Sequence, residues 1–243
     1  MFQTDPFALI VVLVGLSLIP FIAMIATSYL KIVVVISLIR NALGIQSIPP
    51  NMVVNALAMI LTFYIMAPVA SESWSAIVES QKAMVASSQV VAHASVVPGV
   101  QAPNPQNIQP RTFDLSTLDL GKAAEPFRKF LSEHTAPRER AFFVNTAETL
   151  WGKNGEEAVV DPESFWILLP SFCVSELTKA FQIGFLVYLP FIAIDIIVSN
   201  ILLAMGMMMV SPVTISLPFK LLLFVMVNGW TLLVQGLVKG YIL

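Results

Sequence analysis

Charge is spread so unevenly along this chain that its distribution limits what the chain can fold into. Of 28 charged side chains, 20 lie between Glu72 and Glu163, and the other 151 residues carry eight. A soluble domain usually carries about 25% charged residues. Here the figure is 12%, against 57% hydrophobic and a mean hydropathy of +0.82. Two apolar regions flank one polar insert, which is the pattern of a membrane protein. The net charge of −2 gives no ground for a nucleic-acid partner. Cys173 is the single cysteine, so an intramolecular disulfide and a thiolate metal cluster are excluded.

Read in order, the chain predicts helices and their breaks. Phe7 to Leu30 is long enough to span, with a kink expected at Pro20. It lacks the basic start of a signal peptide and is longer than such a peptide's apolar core. Lys31 interrupts the apolar run and either snorkels or faces a protein interior. Gly44 ends a helix, and Pro49-Pro50-Asn51 starts another, with Asn51 as a candidate cap. Val53 to Val69 completes a first hairpin. Ser73 to Ser95 reads as helical. The Pro-rich stretch near 96–112 reads as a flexible loop, because it has little to bury. Leu115 to Leu150 reads as helical with a break near Pro137, and Trp151-Gly152 as its end. Phe127, Phe130 and Leu131 are spaced as one buried face, as are Phe142, Phe143 and Leu150. Phe165 to Val210 is overlong for one span, so breaks are expected at Pro170, Gly184, Pro190 and Gly206. Val213 to Leu243 reads as a fourth apolar section. The domain plan is therefore 1–71, 72–163 and 164–243. Arg40 places its loop in the cytoplasm, and the insert and both termini outside.

The charges in the last apolar region ask for partners. Glu176 and Lys179 are three apart and share a helix face, so a local pair is the ordinary reading. Glu176 reaching Lys220, on the following arm or in another subunit, is the second. A proton relay through Glu176 and Asp195 is the third. It needs a break between them, since 19 residues of unbroken helix is about 28 Å. Phosphate loops, dinucleotide fingerprints and nucleophile elbows are absent from the sequence. His93 and His134 stand apart, without companions at ligand spacing.

One stretch remains, Leu202-Leu203-Ala204-Met205-Gly206-Met207-Met208-Met209-Val210-Ser211-Pro212. Gly206 and Pro212 predict a tight bend between two apolar helices. Four of the eleven methionines fall in five positions there. Flexible thioethers suit a deformable seal, although lipid-facing or core packing is the ordinary use of such residues.

Six runs in order resemble the SctR/FliP family of type III secretion export-gate subunits, found in injectisomes and flagella. They are Leu38-Ile39-Arg40-Asn41-Ala42-Leu43-Gly44, Pro49-Pro50-Asn51, Phe63-Tyr64-Ile65-Met66-Ala67-Pro68-Val69, Ser175 to Phe185, Met205 to Met209, and Ser216-Leu217-Pro218-Phe219-Lys220. The likeness covers both apolar halves, whereas 72–163 matches poorly. It implies an all-α membrane protein of two kinked hairpins separated by a mostly helical periplasmic insert. It also implies five copies joined with S/Q-type and T/R-type small subunits in a helical, cone-shaped oligomer. That cone projects to the periplasmic side of the bacterial inner membrane. Further neighbours implied are U/B-type and V/A-type subunits, the inner rod and the basal body, with unfolded secreted proteins as cargo. No cofactor and no enzymatic chemistry are implied. Met207, Met208 and Met209 map onto a pore gasket, and Glu176 and Lys220 become candidate intersubunit partners. Thr27 to Lys31 leans toward the injectisome branch, and the long insert toward the flagellar one. An ion-coupled solute transporter using Asp195 and a scaffold without a conduit are the rivals from other classes.

Overall fold

A computed structural model describes residues 6–45, 48–94, 120–152, 159–207 and 209–242. Among them every regular element is a helix. In chain order these are α1 (Pro6–Ile25), α2 (Tyr29–Ala42), α3 (Asn51–Ala94), α4 (Leu120–His134), α5 (Pro137–Trp151), α6 (Phe165–Ala204), α7 (Pro212–Met226) and α8 (Gly229–Lys239). The chain forms two compact units. One holds Ala67–Phe130, and the other holds Met1–Met66 with Leu131–Leu243. The 96–112 loop expected from the sequence lies outside the described residues.

The core of the larger unit forms around α2. Its buried positions, Lys31, Ile32, Val35, Ile36, Ile39 and Ala42, recur at helical spacing and line one face. That face packs with Ala180 and Phe191 of α6, Val54 and Ala58 of α3, Phe224 of α7, and Leu233 and Leu237 of α8. Helices α2 and α6 run parallel, as three contacts show. Lys31 meets Glu176, Leu38 lies on Gly184, and the Ala42 carbonyl meets the α7 lysine that pairs with Asp195. Gly184 therefore does not break α6. A Cβ there would lie 2.3 Å from Leu38 Cδ1 and 3.2 Å from Leu38 Cβ, so the missing side chain is what lets the helices approach.

Helix ends follow local chemistry where the sequence supplies it. After α2, Gly44 takes φ +78°. Gly44 N–H donates to Asn41 O and Ile45 N–H to Arg40 O, which closes a Schellman cap. After α6, Gly206 repeats the device at φ +75°, with Gly206 N–H on Leu203 O and Met207 N–H on Leu202 O. Pro212 opens α7, where its missing donor costs nothing. The break between α4 and α5 falls before Pro137, and α5 ends at Trp151, as the sequence predicts. Phe130 and Leu131 are buried, with Phe127 half-buried beside them.

Other breaks lie elsewhere than expected. Helix α1 passes through Pro20, and the bend of 58° falls between Ile25 and Tyr29. Helix α6 passes through Pro170 and Pro190. A proline removes one internal bond, and neighbouring groups in an apolar helix take up the freed partners. Beside Pro170, Ser171 donates its hydroxyl to the Ile167 and Leu168 carbonyls, a further tie within the same turn. The fourth apolar section divides instead, at Asn228, with φ 51° and a 59° bend. Asn228-Gly229 is a turn dipeptide that apolar content conceals. A Cβ on Gly229 would meet the Phe224 ring at 2.2 Å. On α5 the buried residue is Ala147, while Phe142 and Leu150 are exposed. The small side chain is the covered one, Phe143 is half-buried, and the other two large ones face outward.

Two helices, over Asn51–Ser80 and Phe165–Ala204, are long and apolar enough to cross a membrane. The bent pairs Leu13–Ile25 with Tyr29–Ala42 and Pro212–Met226 with Gly229–Lys239 pass when each is taken as one span. Substituting Gly184→Leu is expected to destabilise the chain by about 1–3 kcal/mol through overpacking. Adding Leu38→Ala should restore part of that loss, as denaturant unfolding in detergent would measure.

Candidate functional site: two buried charge nodes and an exposed tip

Two polar nodes interrupt the apolar packing of α6. The first centres on Glu176, whose carboxylate is fully buried. Oε1 pairs with Lys179 Nζ at 3.0 Å, one helical turn on. Oε2 pairs with Lys31 Nζ of α2 at 3.1 Å, and it also accepts the Tyr241 hydroxyl. The Lys31 ammonium lies 3.5 Å from the centroid of the Tyr241 ring, a cation–π contact. Lys179 Nζ donates as well to the His134 carbonyl at 2.6 Å, and Ala136 N–H donates to Ser175 Oγ at 3.0 Å. These bonds dock the α4–α5 turn on α6. Lys31 therefore faces a protein interior. Its side chain is 3% exposed, against 38% for Lys179. Burial first, and then the adjacent Glu176 carboxylate, raise the Tyr241 hydroxyl well above the usual phenol range, so it remains a donor.

The second node joins α6 and α7. Lys220 Nζ pairs with Asp195 Oδ2 at 2.6 Å, and Ser216 Oγ donates to Asp195 Oδ1 at 2.6 Å. Lys220 also donates to the Ala42 carbonyl at 3.3 Å, where a cation satisfies the end of α2 and its dipole. Arg40 closes the loop beyond α2 through the Pro49 carbonyl at 3.1 Å and Asn51 Oδ1 at 2.6 Å. The Asn51 side chain is thus occupied by Arg40.

Of the residues singled out from sequence, Glu176 and Lys179 meet, while Lys220 meets Asp195 instead of Glu176 within the chain. An Asp195–Glu176 relay has no break to use, because α6 is continuous between them and separates them by about 28 Å. The distribution of apolar residues did not reveal Lys31 and Tyr241 as partners of Glu176, 145 and 65 positions away in sequence. The only available signal was that three lysines, Lys31, Lys179 and Lys220, and two acids, Glu176 and Asp195, must settle inside apolar helices.

The third feature is the seven-residue link 205–211 between α6 and α7. Met205 is 58% exposed, Met207 42% and Met209 fully exposed. Met208 lies outside the described residues. Gly206 and Pro212 fix the ends of the link, so the thioethers project from a defined bend. Among the described residues no group of histidine, cysteine or acidic side chains could hold a metal ion.

These features define a helical protein with spans long and apolar enough for a membrane, tied by buried ion pairs and carrying an apolar tip. The chain belongs to the FliP family, whose model matches residues 12–237. It is 47% identical over 237 residues to Yop proteins translocation protein R of Yersinia pestis, covering 98% of this chain and 97% of that one. It is 44% identical over 235 residues to the hypersensitivity response secretion protein HrcR of Ralstonia nicotianae, covering 96% of both. It is 41% identical over 240 residues to virulence protein YscR of Salmonella typhimurium, covering 98% and 97%.

Replacing Glu176 by Leu leaves Lys31 buried without its counter-ion and is expected to destabilise the fold by about 3–5 kcal/mol. The double change Lys31→Met with Glu176→Leu should recover most of that. Lys179→Met alone should cost less than Glu176→Leu, because the Lys179 side chain is partly exposed and Glu176 keeps Lys31 and Tyr241. Denaturant unfolding in detergent would measure all three. A spectrophotometric titration of wild type against Tyr241→Phe should show no difference in phenolate absorbance below about pH 11 while the chain is folded. The raised pKa stabilises the fold below the unfolded tyrosine's pKa, and that contribution falls as pH rises through the folded value.

Proposed function

We propose that this chain is the core subunit of a type III secretion export gate, in the injectisome branch. Several copies, five by the family resemblance, join smaller S/Q-type and T/R-type subunits in the bacterial inner membrane. Together they surround the entry pore for unfolded secreted proteins, with the polar insert 72–163 on the periplasmic side. Membership of the FliP family supports the export role. The relatives named for Yop translocation and for hypersensitivity response secretion support the injectisome branch.

The observation that carries the gate itself is the tip. An apolar bend, capped at Gly206 and restarted at Pro212, holds Met205, Met207 and Met209 out from the chain rather than in its core. Three consecutive methionines, Met207 to Met209, multiplied around a ring would make a narrow thioether collar. Such a collar closes on itself at rest and conforms to a passing polypeptide. An apolar constriction also excludes hydrated ions. A solute transporter built on Asp195 finds less support, since Lys220 and Ser216 occupy both carboxylate oxygens.

Changing Met207, Met208 and Met209 together to Gly should make membranes that contain the assembled complex leak small ions. Unchanged conductance would overturn the collar. The native mass of the detergent-extracted particle, co-expressed with its membrane partners, should correspond to five copies of the 26.6 kDa chain plus smaller subunits. A monomer or dimer would count against the pore.

A further inference from the structure

Tyr241 is the member of the Glu176 node that the packing of α2 on α6 does not require. It follows α8, and its hydroxyl donates to Glu176 in the fourth turn of α6. The chain between those two residues is the rest of α6, the methionine tip, α7 and α8. The contact therefore joins the two feet of the second hairpin. The Tyr241 ring is fixed there by the Lys31 ammonium on its face and by the His134 ring, 5.1 Å away between centroids.

Elsewhere α7 is tied to α6 by the node of Asp195, Lys220 and Ser216, while α8 meets the hairpin through apolar contacts such as those of Leu233 and Leu237. An apolar groove of about 500 Å³ runs between α6, α7 and α8, lined in part by Val187, Pro190, Leu232 and Gly236. The hairpin also holds two points of left-handed backbone, Gly206 at the tip and Asn228 between α7 and α8. Residues in that region mark places where a chain can change direction at low cost. With the Asp195–Lys220 pair holding α7 on α6, the freedom left by the underfilled seam falls on α8 beyond the Asn228 turn, unless its end is held.

We propose that the Tyr241–Glu176 contact is a clasp that holds α8 against α6 and, through α7, biases the resting position of the methionine tip. Releasing Tyr241 frees the end of α8, and the tip responds through α7 as far as the Asp195–Lys220 pair yields. The link to gating rests on the export-gate reading of the tip, whereas the clasp itself does not.

Two variants of the assembled complex test this, Tyr241→Ala and Tyr241→Phe. The second keeps the ring on Lys31 and removes only the hydroxyl. Hydrogen exchange of the α8 amides reads the clasp, and ion leak through the complex reads the gate. The Met207, Met208 and Met209 triple glycine variant serves as the leaking reference. Exchange in α8 should rise about tenfold in Tyr241→Ala and about threefold in Tyr241→Phe. Leak should rise in the same order. Unchanged exchange in both variants would overturn the clasp. Faster exchange without leak, where the glycine reference leaks, would overturn its coupling to the tip. Should the glycine reference not leak, the gate reading fails, and exchange alone still decides whether the clasp exists.

Discussion

Burying a charge among apolar helices is expensive unless that charge finds a partner, and the larger unit is arranged around meeting that demand twice. Glu176 and Asp195 lie on one continuous helix. Each takes a lysine from a different neighbour, Lys31 from α2 and Lys220 from α7. Apolar surfaces slide past one another with little preference for register, whereas an ion pair is satisfied in one position. The Glu176 node pins the start of α2, and Lys220 pins its end through the Ala42 carbonyl. Between them Gly184 admits Leu38. Three fixed points over about three turns leave α2 a single register on α6 and α7.

That register places everything else. With α2 fixed, its buried face gathers residues of α3, α6, α7 and α8 into one core. Helix α6 then continues well past the core to the Gly206 cap, where the tip emerges. Much of the remaining apolar surface is exposed on this single chain, including Phe181, Phe185 and Leu189 on α6 and Leu13 to Ile22 on α1. A membrane and further subunits are the surroundings such surfaces require.

Local chemistry was legible where a residue acts on its own backbone. Gly44 and Gly206 end helices because a left-handed residue lets two amides bond back to the last turn. Pro137 and Pro212 begin helices because the first turn needs no donor from them. The internal prolines misled because an apolar helix with neighbours tolerates a missing bond that an isolated helix would not. Phe142 and Leu150 misled for a related reason. Spacing finds a face, but packing decides whether that face is covered, and on α5 the covered position is Ala147.

By itself the sequence determined the class: apolar helices flanking a polar insert, a capped bend carrying methionines, and the motifs of an export-gate family. Each of these depends on composition or on residues close together in the chain. The tertiary structure alone decided which acid takes which lysine. Sequence spacing made Lys179 the obvious partner of Glu176 and left Lys220 as its rival. The fold added Lys31 and Tyr241 to Glu176 and gave Lys220 to Asp195. A buried ion pair is chosen by which helices can lie side by side, and for α2 on α6 that was settled by a glycine at the centre of α6 that admits Leu38.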